Sequence, residues 1–222
     1  MVAAEKFEFD GVLRRTTGVR QLGWPMRFAA EGTLNGRRVV FVANGPGPRL
    51  AAEALETVLR AMPVDQVVST GTCGGLDPAL RVGDVVEAGE VLDSVSGEKF
   101  ATVSNAGSTI VSQNRVAVTA AEKRTLRGTG ASAVEMEAAG VARSAAAHTL
   151  PFFCIRAVSD DADAGLPLDF NCYRDDAGRF DRSAIAKAAV MRPFSRIPAL
   201  IRLHRNAGIA SEKLGEYLAS RF

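Results

Sequence analysis

The chain has 222 residues, of which 47% are hydrophobic and 23% charged, and this balance excludes a wholly disordered protein. Lys and Arg number 27 against 25 Asp and Glu, and the resulting net charge of +2 gives no support for a nucleic-acid partner. Three scattered cysteines, Cys73, Cys154 and Cys172, argue against a disulfide framework or zinc site and favour a cytoplasmic location. No run approaches the ~20 apolar residues that span a bilayer, and the acidic N-terminus is unlike a signal peptide.

Strands and helices alternate along the chain. Short apolar runs bounded by glycine or polar residues predict strands over residues 38–43, 66–70, 82–92, 109–111, 133–136 and 152–158. Helical spacing predicts helices over 49–62, 120–126 and 137–148, and three helical patterns over 183–222, with Pro193 at a helix start. Gly89 predicts a bulge or bend in its strand. The alternation predicts a single α/β domain over residues 1–222, with a largely parallel sheet and a helical C-terminal extension from about residue 183.

Glycine-rich turns follow the first two predicted strands, at the strand ends where such sheets bind ligands. The turn at Gly45 to Gly47 lacks the third glycine and the distal acid of a dinucleotide fingerprint. It is either a plain tight turn or an amide-lined turn that faces a ligand, with Arg49 beside it. The glycines of 71–75 allow close backbone approach to a ligand and Thr72 adds a hydroxyl, although a turn without a ligand has the same pattern.

Carboxylates follow the last two predicted strands. Glu135 and Glu137 flank a helix start, where a carboxylate either caps the helix or accepts hydrogen bonds from vicinal hydroxyls. Asp160, Asp161 and Asp163 lack a histidine and any calcium-loop pattern, so the sequence predicts no metal site there. Helix capping accounts for one of these three acids but not easily for all of them.

Four segments, taken in order, resemble the nucleoside phosphorylase/nucleosidase superfamily: AAEKFE, VVSTGTCGGLDPALRVGDVV, ASAVEMEAAGVA and PFFCIRAVSDDAD. The last three are most similar to its 5′-methylthioadenosine/S-adenosylhomocysteine nucleosidase branch, and the resemblance spans roughly residues 39–163. It implies a three-layer fold with a mixed, curved sheet between helices. It also implies cleavage of the bond between a purine and its ribose, no metal or organic cofactor, and a homo-oligomer, with a dimer favoured.

The resemblance implies a role for each matched side chain. Asp160 would protonate or hydrogen-bond the leaving purine at N7, and Ser159 would orient Asp160. Glu137 would hold the ribose 2′ and 3′ hydroxyls, with Met136 packed under the sugar. Thr72 would lie near the attacking water or phosphate. The same motifs place Gly74 and Glu135 among the substrate-binding residues.

The match departs from the family at its start, in the stretch 112–128 and in the tail from Asp169. Only three residues precede Ala4, which shortens the first strand to a stub and raises the expectation of a truncated start. Glu8 is assigned as the residue that activates water, with Glu5 as the competing candidate. The stretch 112–128 lacks the aromatic residue that commonly stacks on the purine, with Val116 near its place, and Phe153 is the proposed substitute.

Hydrolysis is favoured over phosphorolysis, because residues 68–70 lack the arginine that precedes the glycine loop in hexameric phosphorylases. The candidate phosphate ligands are Gly47 and Arg49, and phosphate would then be a co-substrate. Arg156 is a second candidate, although a structural ion pair is an equal alternative. The tail from Asp169 is similar to hopanoid-associated phosphorylases, whose substrate carries a lipid on its 5′ carbon. A non-catalytic nucleoside-binding domain is the competing class, and the presence of both acid and base candidates argues against it.

Overall fold

The computed structural model describes residues 1–175 and 178–222. Within them the strands are β1 (Val2–Ala3), β2 (Thr17–Gln21), β3 (Phe28–Leu34), β4 (Arg37–Ala43), β5 (Val67–Gly75), β6 (Val85–Asp93), β7 (Lys99–Ala101), β8 (Ser108–Ser112), β9 (Ala133–Glu135) and β10 (Phe152–Asp160). The α-helices are α1 (Asp10–Leu13), α2 (Pro48–Ala61), α3 (Ala120–Arg127), α4 (Ala138–Ala147), α5 (Arg182–Val190) and α6 (Pro193–Arg221). Single 3-10 turns occur at Lys6–Phe9 and Phe170–Tyr173.

The strands and helices predicted between residues 38 and 158 are all present. Strand β5 is longer than predicted, because it continues through the glycine-rich segment to Gly75. The bulge predicted at Gly89 is confirmed by a register shift between Ala88 and Glu90, where β6 pairs with β8. The C-terminal prediction of three helices is wrong. Helix α6 starts at Pro193 as predicted but runs on through Pro198, whose missing N–H is tolerated near the solvent-exposed start of the helix.

All the strands join one mixed sheet, in the order β10-β6-β8-β9-β5-β1-β4-β3-β2, with β7 paired to β6. Strand β10 also pairs with β5, in parallel, so β5, β10, β6, β8 and β9 close into a ring. The other end of the sheet opens into the antiparallel strands β4, β3 and β2. This closure produces the strong curvature expected of the fold and gathers the ends of β5, β9 and β10 at one place.

Helices cover both faces of the sheet, which confirms the predicted α/β architecture with a central sheet between helical layers. On one face, apolar side chains of α2 and α4, including Leu55 and Val141, pack on the sheet. On the other, α1 and the second half of α6 bury Val12, Leu214 and Leu218. The end of α6 is therefore part of the main core. No helix within the described residues is long and apolar enough to cross a bilayer.

The short first strand holds the N-terminus in the middle of the sheet. Strand β1 runs parallel to both of its neighbours, with Val2 opposite Val42 of β4 and Ser69 of β5. The 3-10 turn that follows leads into α1, where a Cβ on Gly11 would lie 2.1 Å from the carbonyl oxygen of Ser211. This tight contact between α1 and α6 fixes the turn that carries Glu8.

Candidate active site

A cavity of about 380 Å³ opens where β1, β5, β9 and β10 end. The carboxyl ends of these strands are where the sequence predicted ligand binding. Of the predicted residues, those that line the cavity are Glu8, Thr72, Gly74, Glu135, Met136, Glu137, Ser159 and Asp160. The structure thus brings together residues from four separate segments of the chain. Phe153, Gly47 and Arg49 are not part of the wall.

The assignment of Phe153 as a purine-stacking residue is wrong. Phe153 lies at the start of β10, seven residues before Asp160, which places it roughly 23 Å from the cavity end of that strand. Its ring packs edge-on against Phe222, with 5.3 Å between ring centroids, in the core beneath α6. Val116, at the place of the missing aromatic residue, does line the cavity.

The residues suggested as phosphate ligands have other partners. Arg49 points along α2 and pairs with Glu53 at 2.5 Å, at an exposed position outside the cavity wall. The backbone N–H of Gly47 donates to Glu137 Oε1 at 3.0 Å, so this turn positions a carboxylate rather than a free anion. Arg156 is fully buried and ion-paired with Glu135, which supports the structural interpretation of this arginine.

Glu8 is buried and its carboxylate receives hydrogen bonds from both sides. Oε2 accepts the backbone N–H groups of Ala4 and Glu5, each at 3.0 Å, and Oε1 accepts the backbone N–H of Thr72 at 2.7 Å and its hydroxyl at 3.0 Å. Gly71 permits this approach: its φ is +140°, and a Cβ there would lie 2.6 Å from Glu8 Oε1. Burial raises the pKa of Glu8, although the hydrogen bonds from Thr72 and the charge of Arg156 oppose the shift.

Arg156 joins two more glutamates to the same cluster. Its Nη2 contacts Glu135 Oε2, and its Nη1 lies 3.5 Å from Glu137 Oε2. Glu135 also accepts the backbone N–H groups of Glu137 and Ala138, so its carboxylate caps α4 and does not itself offer a substrate contact. Burial and the neighbouring Glu135 charge raise the pKa of Glu137, against the opposing effects of Arg156 and the Gly47 amide.

Asp160 lies in a different environment. Its Oδ1 is 2.8 Å from Ser159 Oγ, and its Oδ2 is in contact with the ammonium of Lys123. Lys123 comes from α3 and is almost completely buried, and its ammonium also donates to the carbonyl oxygen of Asp161 at 2.7 Å. Nothing in the sequence pattern marks Lys123 as a site residue, because a lysine in a short polar helix normally faces solvent.

The polar and ionisable side chains of the cavity form two groups. One lies over Thr72 and the other over Gly74, two residues apart on β5. Glu8 is bonded to Thr72, and Asp160 pairs in register with Gly74, two residues further along β5. Two residues of a strand rise ~7 Å, and both side-chain positions face the same side of the sheet. We refer to these as the Thr72 end, with Glu8, Glu135, Glu137 and Arg156, and the Gly74 end, with Ser159, Asp160 and Lys123.

Apart from Phe7, which lies in the AAEKFE segment, the remaining wall comes from segments without recognisable motifs and could not be predicted from the sequence. It is mostly apolar and includes Phe7, Leu166, Phe170, Phe180, Ile185, Leu203 and Ala207. Two arginines also reach it and are paired with acids: Arg115 with Glu122 at 2.7 Å and Arg182 with Glu5 at 3.0 Å. The aromatic residues Phe170 and Phe180 pack against each other with ring centroids 6.1 Å apart.

Cys73 lies between the two ends, but burial raises the pKa of its thiol, which argues against a nucleophilic thiolate. In the part of the chain that the structure describes, no three His, Cys, Asp or Glu side chains are grouped so as to hold a metal ion. The ionisable groups of the wall are instead carboxylates, two arginines and one lysine. This set can accept hydrogen bonds from hydroxyls, stabilise positive charge and exchange protons.

Comparison with known proteins supports the same chemistry. The family model of the phosphorylase superfamily matches residues 25–106 and 93–196. The 5′-methylthioadenosine/S-adenosylhomocysteine nucleosidase of Shewanella denitrificans is 28% identical over 184 residues, which cover 67% of this chain and 79% of that protein. The nucleosidase of the same description from Colwellia psychrerythraea is 29% identical over 191 residues, which cover 66% and 76% of the two chains.

Solved structures resemble the whole chain. The 5′-methylthioadenosine/S-adenosylhomocysteine nucleosidase of Neisseria meningitidis, in complex with methylthio-immucillin-A, is 26% identical with a TM-score of 0.68. The alignment covers 98% of this chain and 96% of that one. Futalosine hydrolase of Helicobacter pylori has a TM-score of 0.73 at 16% identity, covering 98% and 94%, and shows a shared fold.

Proposed function

The chain belongs to the phosphorylase superfamily, and from that membership we propose that it is an enzyme that hydrolyses the N-glycosidic bond of adenine nucleosides. The observation that carries the proposal is the placement of Glu8 and Asp160 over Thr72 and Gly74 of β5. Their positions, ~7 Å apart along the strand, leave room for a water, a sugar carbon and a base nitrogen between them. A nucleoside lying along β5 would have its sugar at the Thr72 end and its base at the Gly74 end.

The Thr72 end suits a sugar that becomes positively charged as the bond breaks. Three buried glutamates there have one arginine among them. Even with Glu137 protonated, as its raised pKa favours, the carboxylates of Glu8 and Glu135 against Arg156 leave excess negative charge near the developing oxocarbenium ion. Glu137 lines the cavity, and its Oε1 is held by the Gly47 amide. We assign Glu137 to the ribose 2′ and 3′ hydroxyls, with Met136 packed beneath the ring.

Glu8 is our candidate for the base that activates water. Of the four groups that donate to its carboxylate, three are backbone amides and only the Thr72 hydroxyl can rotate. An incoming water can replace that hydroxyl as donor to Oε1 and accept a hydrogen bond from it. Glu5 is the weaker candidate, because its carboxylate pairs with Arg182 at the cavity rim and with Arg27 at 3.8 Å.

Phosphorolysis is the alternative, with phosphate as co-substrate. Among the described residues, the cavity offers only Arg115 and Arg182 as arginine ligands beside the buried Arg156, and both are largely exposed and paired with glutamates. A dianion at the Thr72 end would also face the carboxylates of Glu8 and Glu135, whose charge Arg156 only partly compensates. Both arguments favour water as the nucleophile.

The apolar wall indicates a nucleoside whose 5′ substituent is apolar. Ile185, Leu203 and Ala207, from α5 and α6, and the aromatic pair Phe170 and Phe180 provide few hydrogen-bonding groups. A methylthio group fits this description, as does the lipid of a hopanoid-linked adenosine. A series of nucleosides with 5′ hydroxyl, methylthio and longer alkylthio groups would rank these options by kcat/KM.

Product analysis tests the proposed reaction. Incubation of an adenine nucleoside with the enzyme should release free adenine and a free sugar at the same rate with and without phosphate. A rate that rises and saturates with phosphate, with a sugar 1-phosphate as product, would overturn hydrolysis. Tight binding without release of base under either condition would favour a nucleoside-binding domain.

Three further properties belong to the proposal. The reaction needs no metal or organic cofactor, so prolonged dialysis against a chelator should leave the rate unchanged. We place the enzyme in the cytoplasm, in line with its free cysteines.

We also propose a homodimer that uses the region of β6 and β7, where Val95 and Val103 are exposed. A monomer in sedimentation at micromolar concentration would contradict the dimer.

A further inference from the structure

The corner between α5 and α6 concentrates exposed apolar side chains. Of the ten large apolar side chains that the described residues expose, five lie between residues 190 and 201. Phe194 is the most exposed of all, at 97%. Single apolar residues are common on protein surfaces, whereas a contiguous group of them marks a place of interaction. The group consists of Val190, Met191, Phe194, Ile197 and Ile201.

Helix α6 has two faces with different surroundings. With about 3.6 residues per turn, positions 194, 197, 201 and 205 lie on one side of the helix. Leu203 and Ala207, which line the cavity, lie on the opposite side. The exposed apolar group therefore points away from the cavity, and a ligand bound in the cavity does not cover it.

The same corner is strongly basic. Residues 182–211 contain six Lys or Arg and no Asp or Glu. Arg182 pairs with Glu5 at 3.0 Å, and Arg196 donates to a carbonyl oxygen of α5 at 2.8 Å. The other four cations are exposed, and no acid among the described residues pairs with them: Lys187, Arg192, Arg202 and Arg205. A partner that covers this corner must therefore bring negative charge.

We refer to the five apolar residues and these four cations together as the α5–α6 surface. We propose that the α5–α6 surface binds an anionic lipid bilayer. The apolar side chains would enter the boundary between headgroups and acyl chains, while the long Lys and Arg side chains reach the headgroup phosphates. The helix would lie in the plane of the membrane, since no helix within the described residues is long and apolar enough to cross it.

A second copy of this chain is the competing occupant and fits the surface less well. A symmetric contact would place the same patch of both chains face to face. The unpaired cations of the two copies, Arg202 and Arg205 among them, would then repel one another. An anionic bilayer covers the apolar residues and supplies the missing negative charge at once.

The rest of α6 fixes how the molecule would sit on the bilayer. Leu214 and Leu218 hold the second half of the helix in the main core, so only the first half is available for the contact. A helix is about 10–12 Å across with its side chains. The bilayer would therefore lie one helix diameter from the cavity wall at Leu203 and Ala207.

Co-sedimentation with lipid vesicles tests the contact. The full chain is mixed with vesicles of phosphatidylcholine alone, or of phosphatidylcholine and phosphatidylglycerol in equal parts. We expect the wild type to partition at least ~10-fold more strongly onto the anionic vesicles and to be released by added salt. Phe194→Glu should lower this partitioning by ~10-fold or more, because it places a carboxylate at the lipid boundary. Val19→Glu, at an exposed apolar position of β2, is the control and should bind like the wild type.

A pair of double variants separates a local contact from net charge. Arg202→Gln with Arg205→Gln should weaken binding to the anionic vesicles by ~10-fold or more. Arg124→Gln with Arg127→Gln removes the same charge at the same spacing from exposed positions of α3, and should bind like the wild type.

The possible results decide the proposal. No binding to either kind of vesicle, or equal binding to both, overturns it. Equal losses in the two arginine double variants would reduce the effect to net charge and also overturn it. Self-association without lipid that Phe194→Glu abolishes, together with no vesicle binding, would assign the surface to a second copy. If Phe194→Glu does not fold, the two arginine double variants still decide. None of these measurements depends on turnover, so they stand apart from the proposed reaction.

Discussion

At the Thr72 end of the cavity three buried glutamates surround one arginine, whereas at the Gly74 end one aspartate faces one lysine. Burial raises the pKa of both Glu8 and Glu137, which favours the protonated form of Glu137. The carboxylates of Glu8 and Glu135 still leave the first group with more negative than positive charge, because Arg156 is the one cation among them. The second group is a balanced pair. The difference corresponds to the two halves of the proposed reaction, because the sugar gains positive charge and the base gains negative charge.

The contrast also explains why the Thr72 end needs so many backbone donors. Glu8 accepts three amide hydrogen bonds, Glu135 accepts two amides at the start of α4, and Glu137 accepts the Gly47 amide. Fixed amides hold carboxylates in place without neutralising their charge. A lysine or arginine for each glutamate would remove the negative potential that a positively charged sugar requires.

The largest expected effect comes from Glu8→Gln at the Thr72 end. Glutamine keeps the size of the side chain but cannot take a proton from water, so kcat for base release should fall by ~1000-fold, within the usual range for a general base. Glu5→Gln, three residues earlier and at the cavity rim, is the matched control and should keep most of the activity. The reverse result would make Glu5 the base.

At the Gly74 end, Asp160→Asn should lower kcat by at least ~100-fold, because the amide cannot balance the buried ammonium of Lys123. The exposed Asp163→Asn is the control, since it changes the same residue type three positions further on. Circular dichroism and the unfolding midpoint would verify that both variants fold. Near-normal turnover of an adenine nucleoside by Asp160→Asn would refute the role of this end of the cavity.

Glu137→Gln should show an effect that depends on the sugar. If the carboxylate holds both ribose hydroxyls, its removal costs about 1.5–3 kcal/mol per charged hydrogen bond, or ~10- to 100-fold in kcat/KM. The loss on 2′-deoxyribosides should be smaller, because one hydroxyl is already missing. Equal losses on ribosides and 2′-deoxyribosides would show that Glu137 acts only in positioning the start of α4.

The core of the fold and most residues of the candidate site could be predicted from the sequence. Strand ends carry the motifs, and the parallel strands β5 and β10 bring their carboxyl ends to one edge, so Thr72 and Asp160 meet as expected. Glu137 reaches the same cavity by another route, because it follows β9, which pairs antiparallel with the end of β5. The assignment of Phe153 to the purine was wrong because a sequence motif shows which residues are near one another along the chain, but an extended strand separates residues seven positions apart by more than ~20 Å. Side chains also alternate between faces, and Phe153 faces the core beneath α6.

The hairpin of β3 and β4 was missed although its turn carries a local signal. Asn35 and Gly36 both have positive φ, 48° and 77°, as the tight turn between twisted antiparallel strands requires. Lys123 had no such signal. Its partner Asp160 lies 37 residues away, and only the tertiary structure turns this face of α3 toward the cavity. The apolar wall from α5 and α6 likewise depends on long-range packing.

Gly74→Ala should cause a smaller loss of activity at the Gly74 end than Asp160→Asn. The added methyl would lie 3.2 Å from both Asp160 Oδ2 and Val134 Cγ1 and 3.4 Å from Lys123 Cε, so the Asp160 carboxylate and Val134 must give by a few tenths of an ångström. We expect a loss of roughly 10-fold in kcat/KM for adenine nucleosides, because small displacements of catalytic groups are costly. Gly107→Ala is the control, since a Cβ at Gly107 meets nothing within 4 Å. Unchanged kcat/KM in Gly74→Ala would show that the pair does not depend on this space.

The last prediction concerns the pH dependence of stability at the Thr72 end. Because the pKa of Glu137 is raised in the folded protein, the native state keeps a proton that the unfolded chain releases above the ordinary pKa of 4.5. Stability contributed by this group is therefore present at low pH and declines as pH rises toward the raised pKa, by at most about 1.4 kcal/mol per pH unit. Glu137→Gln removes this titration, whereas Glu8 titrates in both proteins. Urea unfolding between pH 5 and 8 should thus show Glu137→Gln gaining stability relative to the wild type as pH rises. Parallel stability curves would mean that Glu137 ionises normally, and the Thr72 end would then carry still more negative charge relative to the balanced pair at the Gly74 end.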